Sequence, residues 1–131
     1  MMQPVALSFG VLIKTRATLT ALGERVGRVL GCRLEPFRDA TFSYGEAVGA
    51  SCLGLDITLS HDPEVSEGEE RTYVLSGYTT EAVLAQWEIG VPVHRISDYV
   101  LGLMRTVDAP DWYIPAFDED DANGGLIAPD A

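Results

Sequence analysis

Residues 4–14, PVALSFGVLIK, and the polar break after them decide the fold class, because the spacing of apolar residues changes there. Val5, Leu7, Phe9, Val11 and Ile13 alternate with Ala6, Ser8, Gly10, Leu12 and Lys14. A repeat of two sends successive side chains to opposite faces of an extended backbone, so residues 4–14 are expected to form a strand with one face on a core. From Thr18 the repeat lengthens. Leu19, Leu22, Val26, Val29 and Leu30 follow helical spacing, Thr18 or Thr20 can cap the start, Glu24 and Arg28 stand four apart, and Gly31 ends the segment. A strand followed directly by an amphipathic helix is the opening of a mixed fold.

Gly23, Gly27 and Gly31 recur every fourth residue of that helix. Each interior glycine costs about 1 kcal/mol against alanine, so close packing of the backbone on a sheet is the expected reason for them. Glu24, Arg25 and Arg28 between the glycines exclude a membrane dimerisation face.

Further on, Cys32–Phe37 is expected as a short strand, held to an edge or a strand end by Pro36, which lacks the amide a central strand needs. Residues 38–47 suggest a loop, and the small residues of 47–53 suit either one helical turn, which is the preferred reading, or a lead into the next strand. Leu53, Leu55, Ile57 and Leu59 alternate with Gly54, Asp56, Thr58 and Ser60, and Thr72, Val74, Ser76 and Tyr78 alternate with Arg71, Tyr73, Leu75 and Gly77, which predicts an antiparallel hairpin with a long acidic loop. Thr80–Ile89 is expected to be a short helix closed by Gly90 and Pro92. A last helix is signalled by Ser97 as cap, Asp98 near the N-terminal dipole, Ile96 and Leu101 at staple spacing, and a stripe of Val100, Leu103, Met104 and Val107, with Pro110 as the stop. Trp112 and Tyr113 follow it, and Trp112 is expected to close over the core. The resulting fold class is α+β: an antiparallel sheet of about four strands packed with two to three helices in one domain over residues 1–115. Residues 116–131, acidic and glycine-containing, are expected to be a mobile tail.

Composition agrees with one folded unit. The chain has 131 residues, 47% hydrophobic and 22% charged, enough apolar surface to offset the entropy of ordering and close to the commonest domain size. Met1–Ile13 lacks the early charge and unbroken apolar run of a secretory signal, and no long uncharged apolar stretch can span a bilayer, so a soluble, cytoplasmic protein is expected. Cys32 and Cys52 are too few for a disulfide framework and are expected as free thiols.

Twenty acidic against nine basic side chains give a net charge of -11. Residues 1–60 hold six basic and five acidic side chains, a net of +1, while residues 61–131 hold three and fifteen, a net of -12. The acidity gathers in Asp62, Glu64, Glu67, Glu69 and Glu70 on the hairpin loop and in Asp118, Glu119, Asp120 and Asp121 near the C-terminus. Such a surface repels nucleic acid and anionic membranes and attracts a basic protein partner, so these nine residues are the candidate partner-binding set. The alternative is a solvated loop and a solubilising tail.

Catalytic signals are sparse. The nucleophile elbow, the dinucleotide fingerprint and the phosphate loop are all absent, and Lys14 is the sole lysine. His61 and His94 lack the tight partner spacing of a zinc site, and the 61–70 stretch lacks the alternating carboxylates of a calcium loop, so no metal or cofactor is expected. Cys52 beside Ser51 has the small, apolar neighbours of a packing residue. Asp56, His61 and His94 remain the polar candidates for an alternative function, a small enzyme or ligand-binding domain with a pocket between sheet and helices.

The segments LGLDITLSHDP (53–63), RTYVLSGY (71–78), ISDYVLGLM (96–104) and DWYIP (111–115) together resemble the layout of small acidic immunity proteins encoded beside bacterial toxins. The resemblance covers about two thirds of the chain. It implies a non-enzymatic cytoplasmic inhibitor that binds a cognate toxin domain, in which a sheet with flanking helices blocks the toxin. Eight arginines against one lysine fit the coding bias of a GC-rich bacterial genome.

Overall fold

The computed structural model describes residues 5–37, 47–61, 65, 68–84 and 92–115. Within them the chain runs β1 (Ala6–Thr15), α1 (Leu19–Leu30), β2 (Glu35–Phe37), β3 (Ala47–Cys52), β4 (Leu55–His61), β5 (Arg71–Thr79), α2 (Glu81–Leu84), β6 (Val93–Arg95) and α3 (Ser97–Val107). The α+β class holds. The expectations for residues 38–46, 85–89 and the tail 116–131 lie outside the described residues.

The sheet itself departs from the expected four antiparallel strands. It has six, in the order β2-β3-β4-β5-β1-β6, and β6 runs parallel to β1 while every other neighbouring pair is antiparallel. Two strands were illegible for different reasons. Ala47–Cys52, expected as a helical turn, is strand β3, because its small residues pair on both sides, with β2 through Val48↔Pro36 and with β4 through Val48↔Leu59. Tertiary pairing of this kind overrides a weak local preference. Leu53 does not start the next strand: it forms with Gly54 the two-residue turn between β3 and β4, and both have positive φ, 54° and 77°, as tight hairpin turns of the mirror-image type require. β6 has three residues, too few to show any period.

The core lies between α1, α3 and one sheet face. Phe9, Val11 and Ile13 of β1 meet Ile57 and Leu59 of β4, Tyr73 and Leu75 of β5, Leu22 and Val26 of α1, and Val100 and Met104 of α3. Trp112 joins them at 0% exposure, in line with its expected place over the core. Leu12 and Val74 point to the other face, where Tyr113 packs on them. Tyr113 is fixed there by a reciprocal backbone pair with Leu12, 2.8 Å in each direction.

Both long helices begin differently from one another. Thr18 caps α1, its Oγ accepting from the Ala21 amide at 3.1 Å, and Gly31 closes it in the left-handed region. Ser97, expected as the cap of α3, is instead buried, and its Oγ accepts from the Gly10 amide of β1 at 3.0 Å, so α3, with Ile96 at its N-cap, has no side-chain cap. The hydroxyl serves the sheet because the β6 register carries it across β1. The glycine stripe of α1 resolves into three separate causes: a methyl on Gly23 would meet Val48, one on Gly27 would lie 2.5 Å from the Cys32 carbonyl oxygen, and Gly31 is the cap.

Candidate functional site

The hairpin loop between β4 and β5 is anchored by its own ends. His61 closes β4 with its ring edge-on to Tyr73, 5.6 Å between centroids. The Tyr73 hydroxyl donates to the Ala17 carbonyl at 2.6 Å, tying the strand to the entry of α1. Arg71 Nε donates to the Val65 carbonyl at 3.0 Å and its Nη1 to the Tyr73 hydroxyl at 3.5 Å. Glu69 and Glu70 are exposed at the start of β5. Asp62, Glu64, Glu67, Asp118, Glu119, Asp120 and Asp121 lie outside the described residues.

The three polar candidates for a ligand or catalytic site do not converge. Asp56 is exposed near the start of β4, where its Oδ1 accepts from Ser51 Oγ at 2.9 Å. His61 stands five residues further along the same strand, roughly 17 Å at the usual rise, and by strand alternation on the opposite face. His94 is exposed on β6, separated from β4 by β5 and β1, roughly 14 Å across the sheet. Among the described residues no three His, Cys, Asp or Glu side chains gather where they could hold a metal ion, and no helix is long and apolar enough to cross a membrane.

A cleft does exist, in a place none of those candidates reaches. Its volume is about 990 Å³, between the glycine-bearing side of α1 and the β2 edge, and it is lined by Gly23, Gly27, Arg28, Cys32, Arg33 and Val48 among others. Gly23, Gly27 and Gly31 all line it, with Val48 and the Cys32 carbonyl closely approaching the first two. Arg33 meets Glu35 at 3.6 Å on its rim, with both side chains mostly in solvent. Burial, and then the neighbouring Cys52 thiol, push the Cys32 thiol up from its ordinary value.

A second charged cluster holds the two long helices together. Arg25 of α1 donates to Asp108, the C-cap of α3, and Asp108 also accepts from Trp112 Nε1 at 2.8 Å. Arg105 Nε donates to the Trp112 carbonyl at 2.7 Å. The hydrogen bond from Arg25 is the main cause that holds the Asp108 carboxyl below its usual range, with the one from Trp112 and the Arg25 and Arg28 charges adding to it against burial. This cluster is structural, each of its groups being occupied by another. No family model, no curated protein and no solved structure matches the chain.

Proposed function

We propose that the chain is a non-enzymatic binding protein, an immunity protein that acts in the cytoplasm and inhibits a cognate bacterial toxin by occluding its basic surface. The observation that carries this reading is the exposed pair Glu69 and Glu70 at the end of a hairpin loop that also contains Asp62, Glu64 and Glu67 in sequence. Charge held on a loop at one end of a sheet acts at long range, raises encounter rates with a cationic surface and orients the approach. The scatter of Asp56, His61 and His94 across the sheet agrees with binding rather than chemistry. The tail residues Asp118, Glu119, Asp120 and Asp121 extend the same acidic set. The experiment is co-expression with the product of the adjacent gene in the native genome. Rescue of growth together with a stable purified complex is the expected result, and neither rescue nor complex would end this reading.

One observation favours a second reading, a ligand-binding domain. The cleft beside α1 is within the size range of small-molecule sites, about 300–1,000 Å³, and Arg28 lines it together with Glu24 and the paired Arg33 and Glu35. Thermal-shift screening of anionic metabolites against wild type and Arg28→Ala tests it. A stabilisation that the substitution removes would establish the cleft as a ligand site.

A further inference from the structure

We propose that Cys32 and Cys52 form a dithiol modification site that reacts with a small-molecule disulfide, such as oxidised glutathione, and closes to an intramolecular bond. The register carries the inference. The β2–β3 ladder pairs Phe37 with Ala47, Pro36 with Val48 and Glu35 with Gly49, so each step back along one strand is a step forward along the other. Cys32 lies three residues before Glu35 and Cys52 three residues after Gly49, so both thiols stand beyond the same end of this ladder. A disulfide spans Cα atoms about 4.4–6.8 Å apart, and closure requires that separation of these two residues.

A second observation agrees. The two thiols act on one another, Cys52 being the neighbour that adds to burial in raising the Cys32 thiol. Both are half-buried, which leaves them open to a small reagent. Their backbones are held: the Cys32 amide donates to the Gly27 carbonyl at 3.1 Å, and Cys52 ends β3 opposite Leu55 of β4.

In the first step one protein thiol loses its proton to solvent, and its sulfur attacks the glutathione disulfide, whose S–S bond breaks and releases one glutathione thiolate. In the second, the other protein thiolate attacks the protein-bound sulfur of the mixed disulfide, forming the Cys32–Cys52 bond and releasing the second glutathione. Two protein thiols are oxidised, one glutathione disulfide is reduced to two thiols, and atoms and electrons balance. Because the Cys32 thiol is raised, its thiolate is scarce near neutrality and closure should quicken as pH rises. The bond would join the C-terminal end of α1 to the end of β3 and fix the wall of the cleft that Cys32 lines. It does not depend on the binding reading.

The test uses the full chain, reduced and then equilibrated in glutathione buffers of increasing oxidised fraction, quenched in acid, alkylated and digested with trypsin. Wild type is expected to lose both alkylatable thiols together and to yield peptide 29–33 linked to peptide 39–71 within a monomer, reversibly on return to reduced glutathione. Cys32→Ser and Cys52→Ser should each hold one glutathione instead. Stable glutathione on wild type without closure, thiols that stay alkylatable throughout, or a link between two chains would each overturn the proposal.

Discussion

Arg25 and Asp108, 83 residues apart in sequence, meet in two parallel hydrogen bonds, Nε to Oδ1 at 2.9 Å and Nη2 to Oδ2 at 2.7 Å. The carboxylate is 9% exposed and the guanidinium 27%, so the pair is shielded on one side only. Fork-to-carboxylate geometry is the strong form of an ion pair, and Trp112 uses the remaining capacity of the same oxygen. Arg25→Ala and Asp108→Ala are each expected to destabilise the fold by roughly 2 kcal/mol, Asp108→Ala more, because it also strands the buried Trp112 N–H. Urea unfolding of both variants and of the double variant checks this. A coupling below about 0.5 kcal/mol would show that the clamp is ornamental.

The same carboxyl sets a pH dependence. Its folded pKa is lowered, so between the folded and unfolded values the unfolded chain binds more protons, and stability rises with pH. The contribution is present in full above the unfolded value of 3.8 and is lost as pH falls through the folded one. Acid unfolding should therefore be less steep below about pH 4 in Asp108→Asn than in wild type. Arg25, raised above its already high ordinary value mainly by the hydrogen bond to Asp108, keeps its contribution throughout any accessible range.

Two helical glycines should respond to alanine with opposite sign. A methyl on Gly27 would stand 2.5 Å from a backbone oxygen that the C-terminal turn of α1 fixes, so Gly27→Ala is expected to cost about 1–3 kcal/mol. Gly102 is exposed in α3 and a methyl there meets nothing, so Gly102→Ala should gain about 0.5–1 kcal/mol from propensity. Thermal melts of the two variants are sufficient, and equal shifts would contradict the packing described for α1.

Leu53 is 96% exposed and sits at φ 54° in the β3–β4 turn. Leucine gains no burial there and pays for a left-handed backbone, which asparagine tolerates better. Leu53→Asn is expected to raise stability by about 0.5–1 kcal/mol, measured by urea midpoint at constant slope.

How much of this was legible depends on length and partners. β1, β4, β5 and both long helices carry a sustained period over seven to twelve residues, and all were visible. β3 and β6 were not, because Ala-Val-Gly-Ala-Ser-Cys and Val-His-Arg become strands only through neighbours distant in sequence. Ser97 shows the same limit in one residue: its type and position fit a helix cap, yet the β1 amide it serves is 87 residues away. For the site, the acidity of the 61–70 loop was plain in sequence, whereas the cleft exists only once α1 is set against β2.

The central claim is that the acidic loop meets a basic partner. Association kinetics of wild type and a fourfold Glu64→Gln, Glu67→Gln, Glu69→Gln, Glu70→Gln variant against the adjacent-gene product test it most directly, at two ionic strengths. Screening shortens from about 30 Å at 0.01 M to about 8 Å at 0.15 M, so the wild-type association rate should fall steeply with salt and the variant should show that loss already at low salt. The fold should be unaffected, since Glu69 and Glu70 are exposed and exposed carboxylates contribute little to stability. An association rate and affinity that neither salt nor the four substitutions change would contradict the account and leave the loop a solvated surface.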